Sequence, residues 1–178
     1  DNSDGVTIDA STIGSASSGP ITIVGTAGGG TGSEAITIAG TTAITSASGD
    51  VVLRGNSYAL SGTTTVTTLG KLTLDSVGAA FSSAITLPST FNIGSGVTSL
   101  TIGKTTNDKD ITLSNAIGIA GPITVYGGDI KLTGSKSITT TNANISLISK
   151  GNIFSEVGAS VSSGTGNILF ASDSDGTG

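Results

Sequence analysis

The sequence predicts an all-β chain folded as a parallel β-solenoid, a right-handed β-helix with about 22 residues in each three-sided coil. Three observations lead there. Apolar–polar–apolar triplets recur from one end of the chain to the other, they return every seven or eight residues through its last third, and Gly, Ser, Asn and Asp stand between them. Alternation with period two, rich in β-branched residues and bounded by turn formers, marks short strands with one buried face.

In chain order the triplets begin with Val6-Thr7-Ile8, Ile21-Thr22-Ile23 and Ile36-Thr37-Ile38, and continue through Leu72-Thr73-Leu74, Ile85-Thr86-Leu87, Leu100-Thr101-Ile102 and Ile111-Thr112-Leu113. Ile123-Thr124-Val125, Ile130-Lys131-Leu132 and Ile145-Ser146-Leu147 complete the set. First apolar positions fall at 123, 130, 138, 145, 153, 161 and 168 late in the chain, and at 6, 13, 21, 36, 44, 51, 58, 66 and 72 early in it. The early gap places a missing strand at Gly28-Gly29-Gly30.

Hairpin meanders would call for longer strands, tight two-residue turns and aromatic anchors, which the chain does not offer. A solenoid corner needs unusual backbone angles and therefore favours Gly, Asn, Asp and Ser. Three strands to a coil gives roughly eight coils and a rod of about 35 to 40 Å at ~4.8 Å per ladder step. Starts at 6, 21, 36 and 51 also admit a two-strand coil of 15 residues, so coil size stays open at this point. The number of bulky inward residues favours the triangular form. A string of immunoglobulin-like modules is the remaining all-β alternative.

The chain reads as one segment, 1–178, of a longer protein, with loops thrown out where the beat stretches, at 75–83 and 103–110. The second loop carries Lys104, Asp108, Lys109 and Asp110, the densest charge in the molecule. Solenoids commonly place binding surface on such bulges; the plainer reading is a solvated insertion. Pro20 and Pro122 each precede a triplet and mark corners, where a missing ladder donor costs little.

Composition excludes much familiar chemistry. The 178 residues include 28 Gly, and the hydrophobic share of 35% contains only 3% aromatic residues. With no His there is no imidazole catalysis and no Ser-His-Asp triad; with no Cys there is no thiol nucleophile, thiolate metal site or disulfide. A net charge of -5, with seven scattered Lys and Arg, offers no basic face to nucleic acid. No apolar run reaches the ~18 to 20 residues of a spanning helix. The opening Asp1-Asn2-Ser3-Asp4-Gly5 has no leader character and reads as the start of an excised or mature piece.

Gly128-Asp129-Ile130-Lys131-Leu132, Asn144-Ile145-Ser146-Leu147, Gly151-Asn152-Ile153-Phe154 and Gly166-Asn167-Ile168-Leu169-Phe170 resemble the Gly-Asn/Asp-Ile-x-Leu repeats of filamentous-haemagglutinin-type and other giant bacterial surface adhesins, gliding-motility adhesins included. The resemblance covers 121–172 clearly and 1–74 in part. It implies a secreted β-helical shaft at a bacterial cell surface, without catalytic residues or cofactors. Its partners would be flanking repeats of the same polypeptide and host-cell, glycan or abiotic surfaces.

Competing sites are few. A polysaccharide-acting β-helix would need clustered charges in a groove, for which Asp50, Arg54, Lys71 and Asp75 are the candidates; a corner residue and outward charges are the simpler reading. Tyr58 and Tyr126 are the sole tyrosines available as sugar platforms. Asp173-Ser174-Asp175-Gly176 and Asn107-Asp108-Lys109-Asp110 offer oxygens to Ca²⁺, but neither completes a calcium-loop pattern. Gly28-Gly29-Gly30-Thr31-Gly32 lacks the Lys and the helix of a phosphate loop. No metal or catalytic residue is therefore assigned. On a 15-residue coil Thr7, Thr22 and Thr37 would stack as an ice-binding column, strengthened by the Thr63–Thr68 and Thr139–Thr141 runs; on a 22-residue coil they would scatter.

Overall fold

The computed structural model describes residues 3–176. They form short strands and no helix, three strands to a coil. The first coil holds β1 (Val6–Asp9), β2 (Thr12–Gly14) and β3 (Ile21–Val24); the second β4 (Ile36–Ala39), β5 (Thr41–Thr45) and β6 (Val51–Arg54). Coil three holds β7 (Tyr58–Leu60), β8 (Thr63–Thr67) and β9 (Lys71–Asp75), and coil four β10 (Ile85–Leu87), β11 (Phe91–Ile93) and β12 (Ser99–Ile102). Coil five holds β13 (Ile111–Leu113), β14 (Ile117–Ile119) and β15 (Ile123–Gly127), and coil six β16 (Ile130–Leu132), β17 (Ser137–Thr140) and β18 (Ile145–Ser149). Coil seven closes the series with β19 (Ile153–Ser155), β20 (Ser160–Ser162) and β21 (Ile168–Ala171).

Every paired strand runs parallel to the strand three places on, so the coils stack into a prism with three faces. Face one is β1-β4-β7 followed by β10-β13-β16-β19; face two is β2-β5-β8-β11 followed by β14-β17-β20. Face three is a single seven-stranded sheet from β3 to β21. Leu100, Ile123, Ile145 and Ile168 share one of its columns, which sets the regular coil at 22 to 23 residues. Parallel pairing throughout also sets aside meanders and immunoglobulin-like modules.

The 15-residue coil is overturned by the same register. Val6 pairs with Ile36 on face one while Ile21 pairs with Val51 on face three, so the even starts alternate between two sides of the prism. No strand occupies 25–35, where a missing one was expected; a loop does, and it stretches the first coil until it imitates two short ones. Such insertions consume chain, which leaves seven coils rather than eight. Six ladder steps of ~4.8 Å make a rod of about 29 Å between its first and last coils.

The core is aliphatic and continuous. Ile36, Leu53, Leu74, Leu87, Leu100, Val125 and Ile145 are fully withdrawn from solvent and belong to one cluster. Burial of this kind, at roughly 25 cal/mol per Å² of apolar surface, is what holds strands of three to five residues in place. Few aromatics are needed because each coil fills its own thin layer.

Corners repeat a backbone solution. Between faces one and two, Ala10, Gly40 and Gly62 occupy equivalent positions and all have positive φ, at 44°, 58° and 76°. A Cβ on Gly62 would run into the Gly40 carbonyl of the coil beneath. Gly62→Ala therefore combines a left-handed backbone with a steric overlap, and we expect a loss of about 1 to 3 kcal/mol in chemical denaturation.

Candidate functional site

The long connections all lie on one edge of the prism. Loops 25–35, 76–84 and 103–110 each join a face-three strand to the face-one strand of the next coil. Between faces one and two the connections are short, from the single Gly40 to 133–136. Chain length varies most on this edge, and the face-three ladder stays continuous past all three loops.

Loops 76–84 and 103–110 stack on each other. Lys104 Nζ donates to the carbonyls of Ser76 at 2.5 Å and Gly78 at 3.0 Å, and the Thr106 hydroxyl donates to the Ala79 carbonyl. Asn107 is buried between them: its Oδ1 accepts from Phe81 N at 3.2 Å and its Nδ2 donates to Tyr126 O at 2.9 Å. Asn56 works the same way one coil earlier, accepting from Gly78 N at 3.0 Å through Oδ1. The sequence offers Asn107 as a calcium oxygen and Lys104 as part of the charged bulge, whereas nothing local marks Asn56.

Two of the carboxylates offered to a cation hold other partners. Asp110 Oδ1 accepts from Asp129 N at 2.8 Å, and Asp108 pairs with Lys109 Nζ at 3.2 Å. Among the described residues no three His, Cys, Asp or Glu side chains gather to hold a metal. Asp173, Ser174 and Gly176 join a terminal turn in which Gly176 N bonds Asp173 O at 3.1 Å. In the glycine-rich loop Gly28 N reaches Ser3 O at 2.9 Å, and the segment leads into a strand.

The four charges proposed for a sugar cleft separate into two pairs at opposite ends of β6 and β9. Asp50 Oδ1 accepts from Lys71 N at 2.9 Å. Arg54 grips Asp75 with two bonds, Nε to Oδ1 at 2.7 Å and a terminal nitrogen to Oδ2 at 3.0 Å. Tyr58 stands in the inward column of face one, where its hydroxyl has the carbonyls of Leu53 at 2.7 Å and Asp75 at 2.8 Å as acceptors for its one proton. Its ring meets Phe81 edge-on at 5.8 Å. Tyr126 lies on face three, so the two tyrosines form no common platform.

Thr7, Thr22 and Thr37 do not form one column. Thr7 pairs with Thr37, whereas Thr22 pairs with Val52 on another face. A different array appears on face two, where Thr41 pairs with Thr63 and Thr45 with Thr67 while Thr65 stands between the columns. Within the 63–68 run, Thr64 and Thr68 turn inward and are buried. Among the described residues, the outward positions of the face-two strands carry Thr, Ser, Ala, Gly or Asn and no charge.

The shifted carboxylates and the shifted phenol lie toward opposite extremes of pH. Hydrogen bonds from the Thr37 hydroxyl and Glu34 N–H hold Asp4 below the usual carboxylate range, Lys109 does the same for Asp108, and Lys131 for Glu156. Burial pushes the Tyr58 phenol up. The carboxylates contribute stability above their unfolded values near 4, lost as pH falls through the lowered folded ones. Tyr58 contributes below about 10, lost as pH rises beyond that. With no His in the chain, we expect a melting temperature that is flat between about pH 5 and 8 and declines below about 4 and above about 10. A calorimetric series across buffers checks it.

Compared with known protein families, curated proteins and solved structures, the chain matches none.

Proposed function

We propose that the chain is a structural shaft segment of a secreted adhesin at a bacterial cell surface, a stiff spacer supporting adhesion to cells or surfaces and performing no catalysis. The observation that carries this reading is the unbroken face-three ladder from β3 to β21, with a continuous aliphatic core beneath it. A ladder of that kind stiffens a rod coil by coil. Its nearest partners are flanking repeats of the same polypeptide, with host-cell, glycan or abiotic surfaces contacted by what the shaft carries. The resemblance of 121–172 to adhesin repeats adds to this reading.

A shaft should be replaceable by another of equal length. Exchanging these residues, in the full polypeptide, for an unrelated solenoid with the same number of coils is expected to preserve cell adhesion at equal surface display. Loss of adhesion with display intact would mean that this segment itself recognises the partner.

The face-two array favours a second reading, an ice-binding solenoid. Thr41, Thr45, Thr63, Thr65 and Thr67 repeat at ladder spacing along the face and at twice the residue rise across it. Thermal hysteresis at millimolar protein, removed by Thr65→Lys, would favour this reading; its absence would dismiss it.

A further inference from the structure

We infer that the solenoid yields at its fourth coil, which opens locally before the coils on either side unfold. The inference rests on ladder topology and goes beyond the shaft reading without depending on it. Face one is interrupted between β7 and β10, and face two between β11 and β14. Both interruptions fall on the same coil. Strand β10 pairs only with β13 and strand β11 only with β8, so each is an edge strand in the middle of the molecule. Face three alone crosses the region unbroken.

Isolated contacts stand in for the missing ladder at both gaps. At the first, the Tyr58–Phe81 ring contact and the bonds from Ser82 N and Oγ to Asn56 O, at 2.7 Å and 3.0 Å, join the start of β7 to the segment that precedes β10. At the second, Asn115 reaches across and donates from Nδ2 to Phe91 O at 2.9 Å. Asn115 is 2% exposed, and its Oδ1 is buried without a partner. One side-chain bond thus replaces a row of backbone bonds and leaves an acceptor unsatisfied, which weakens that junction further.

In a stack where each coil touches only its neighbours, stability is close to a sum of coil terms and junction terms. The junctions on either side of coil four keep two ladders, and every other junction keeps three. Local opening concentrates where coupling is weakest. Ile85, Leu87, Phe91 and Leu100 remain buried there, so the seam is closed at rest and yields on perturbation. Two blocks, coils one to three and five to seven, are the units it separates.

Native-state hydrogen exchange on the folded chain tests this. Amides in 85–93 and 117–119 are expected to exchange about tenfold faster, or more, than those in 41–45 and 145–149. Asn115→Ala, which strands the Phe91 carbonyl, should speed exchange across 85–119 and leave 51–54 unchanged; Asn115→Ser reads the same coupling if the alanine variant does not fold. Protection through coil four equal to that of its neighbours, with fraying only at the ends, would overturn the inference. So would a variant that loosens all coils alike.

Discussion

Val125→Asp is expected to abolish folding or to destabilise it by more than about 4 kcal/mol, while Thr124→Asp, one residue away, costs about 0.5 kcal/mol or less. Val125 is fully buried in face three, stacked between Ile102 and Leu147, and nothing in that column can pair with a carboxylate. Desolvating a charge there has no compensation. Thr124 points the other way, in the outward column with Thr101 and Ser146. Urea denaturation of the two variants reads the difference directly, and similar losses would mean that the strand does not alternate as described.

Deleting Thr101 should be equally severe, for a geometric reason. Removing one residue from β12 moves Ile102, the last residue of the strand, from the inward row to the outward row. β12 is also the only strand of coil four paired on both sides. Deleting Gly29 likewise removes one residue, but from the 25–35 loop, where closure entropy changes by well under 1 kcal/mol. We expect loss of a cooperative melt in the first case and a shift of only a few degrees in the second. Equal tolerance of both deletions would show that the register of β12 is not fixed by its buried row.

The contrast between these residues also shows what the sequence makes legible. Alternation is written into each triplet, so strands such as Ile123–Gly127 and Ile145–Ser149 can be placed from their apolar residues and the turn formers beside them. Coil size is harder, because it depends on which strands are neighbours in space. The 25–35 loop lengthens the first coil to twice a 15-residue unit, and from spacing alone the two readings coincide. Only pairing across coils distinguishes Ile21 beside Val51 from Ile21 beside Ile36.

Side-chain roles follow the same rule. Arg54 and Asp75 are 21 residues apart, and their pairing is visible only after β6 and β9 are laid in register. The Thr63–Thr68 run reads as a hydroxyl patch, yet alternation sends Thr64 and Thr68 into the interior and leaves Thr63, Thr65 and Thr67 outside. Asn115 has no local pattern that separates it from any corner Asn, and its place at a ladder gap is a product of the whole fold.

Distances between nitroxide pairs in the outward column of face three test the stacking most directly. The chain has no Cys, so labels can be placed singly: one at Thr22, and a second in turn at Thr124, Ser146 or Leu169, which follow it four, five and six ladder steps away. Double electron–electron resonance is expected to give separations near 19, 24 and 29 Å, rising by about 4.8 Å for each coil once the common label length is subtracted. Distances that failed to grow steadily, or that fell back as the second label moved along the chain, would contradict a stack of parallel coils.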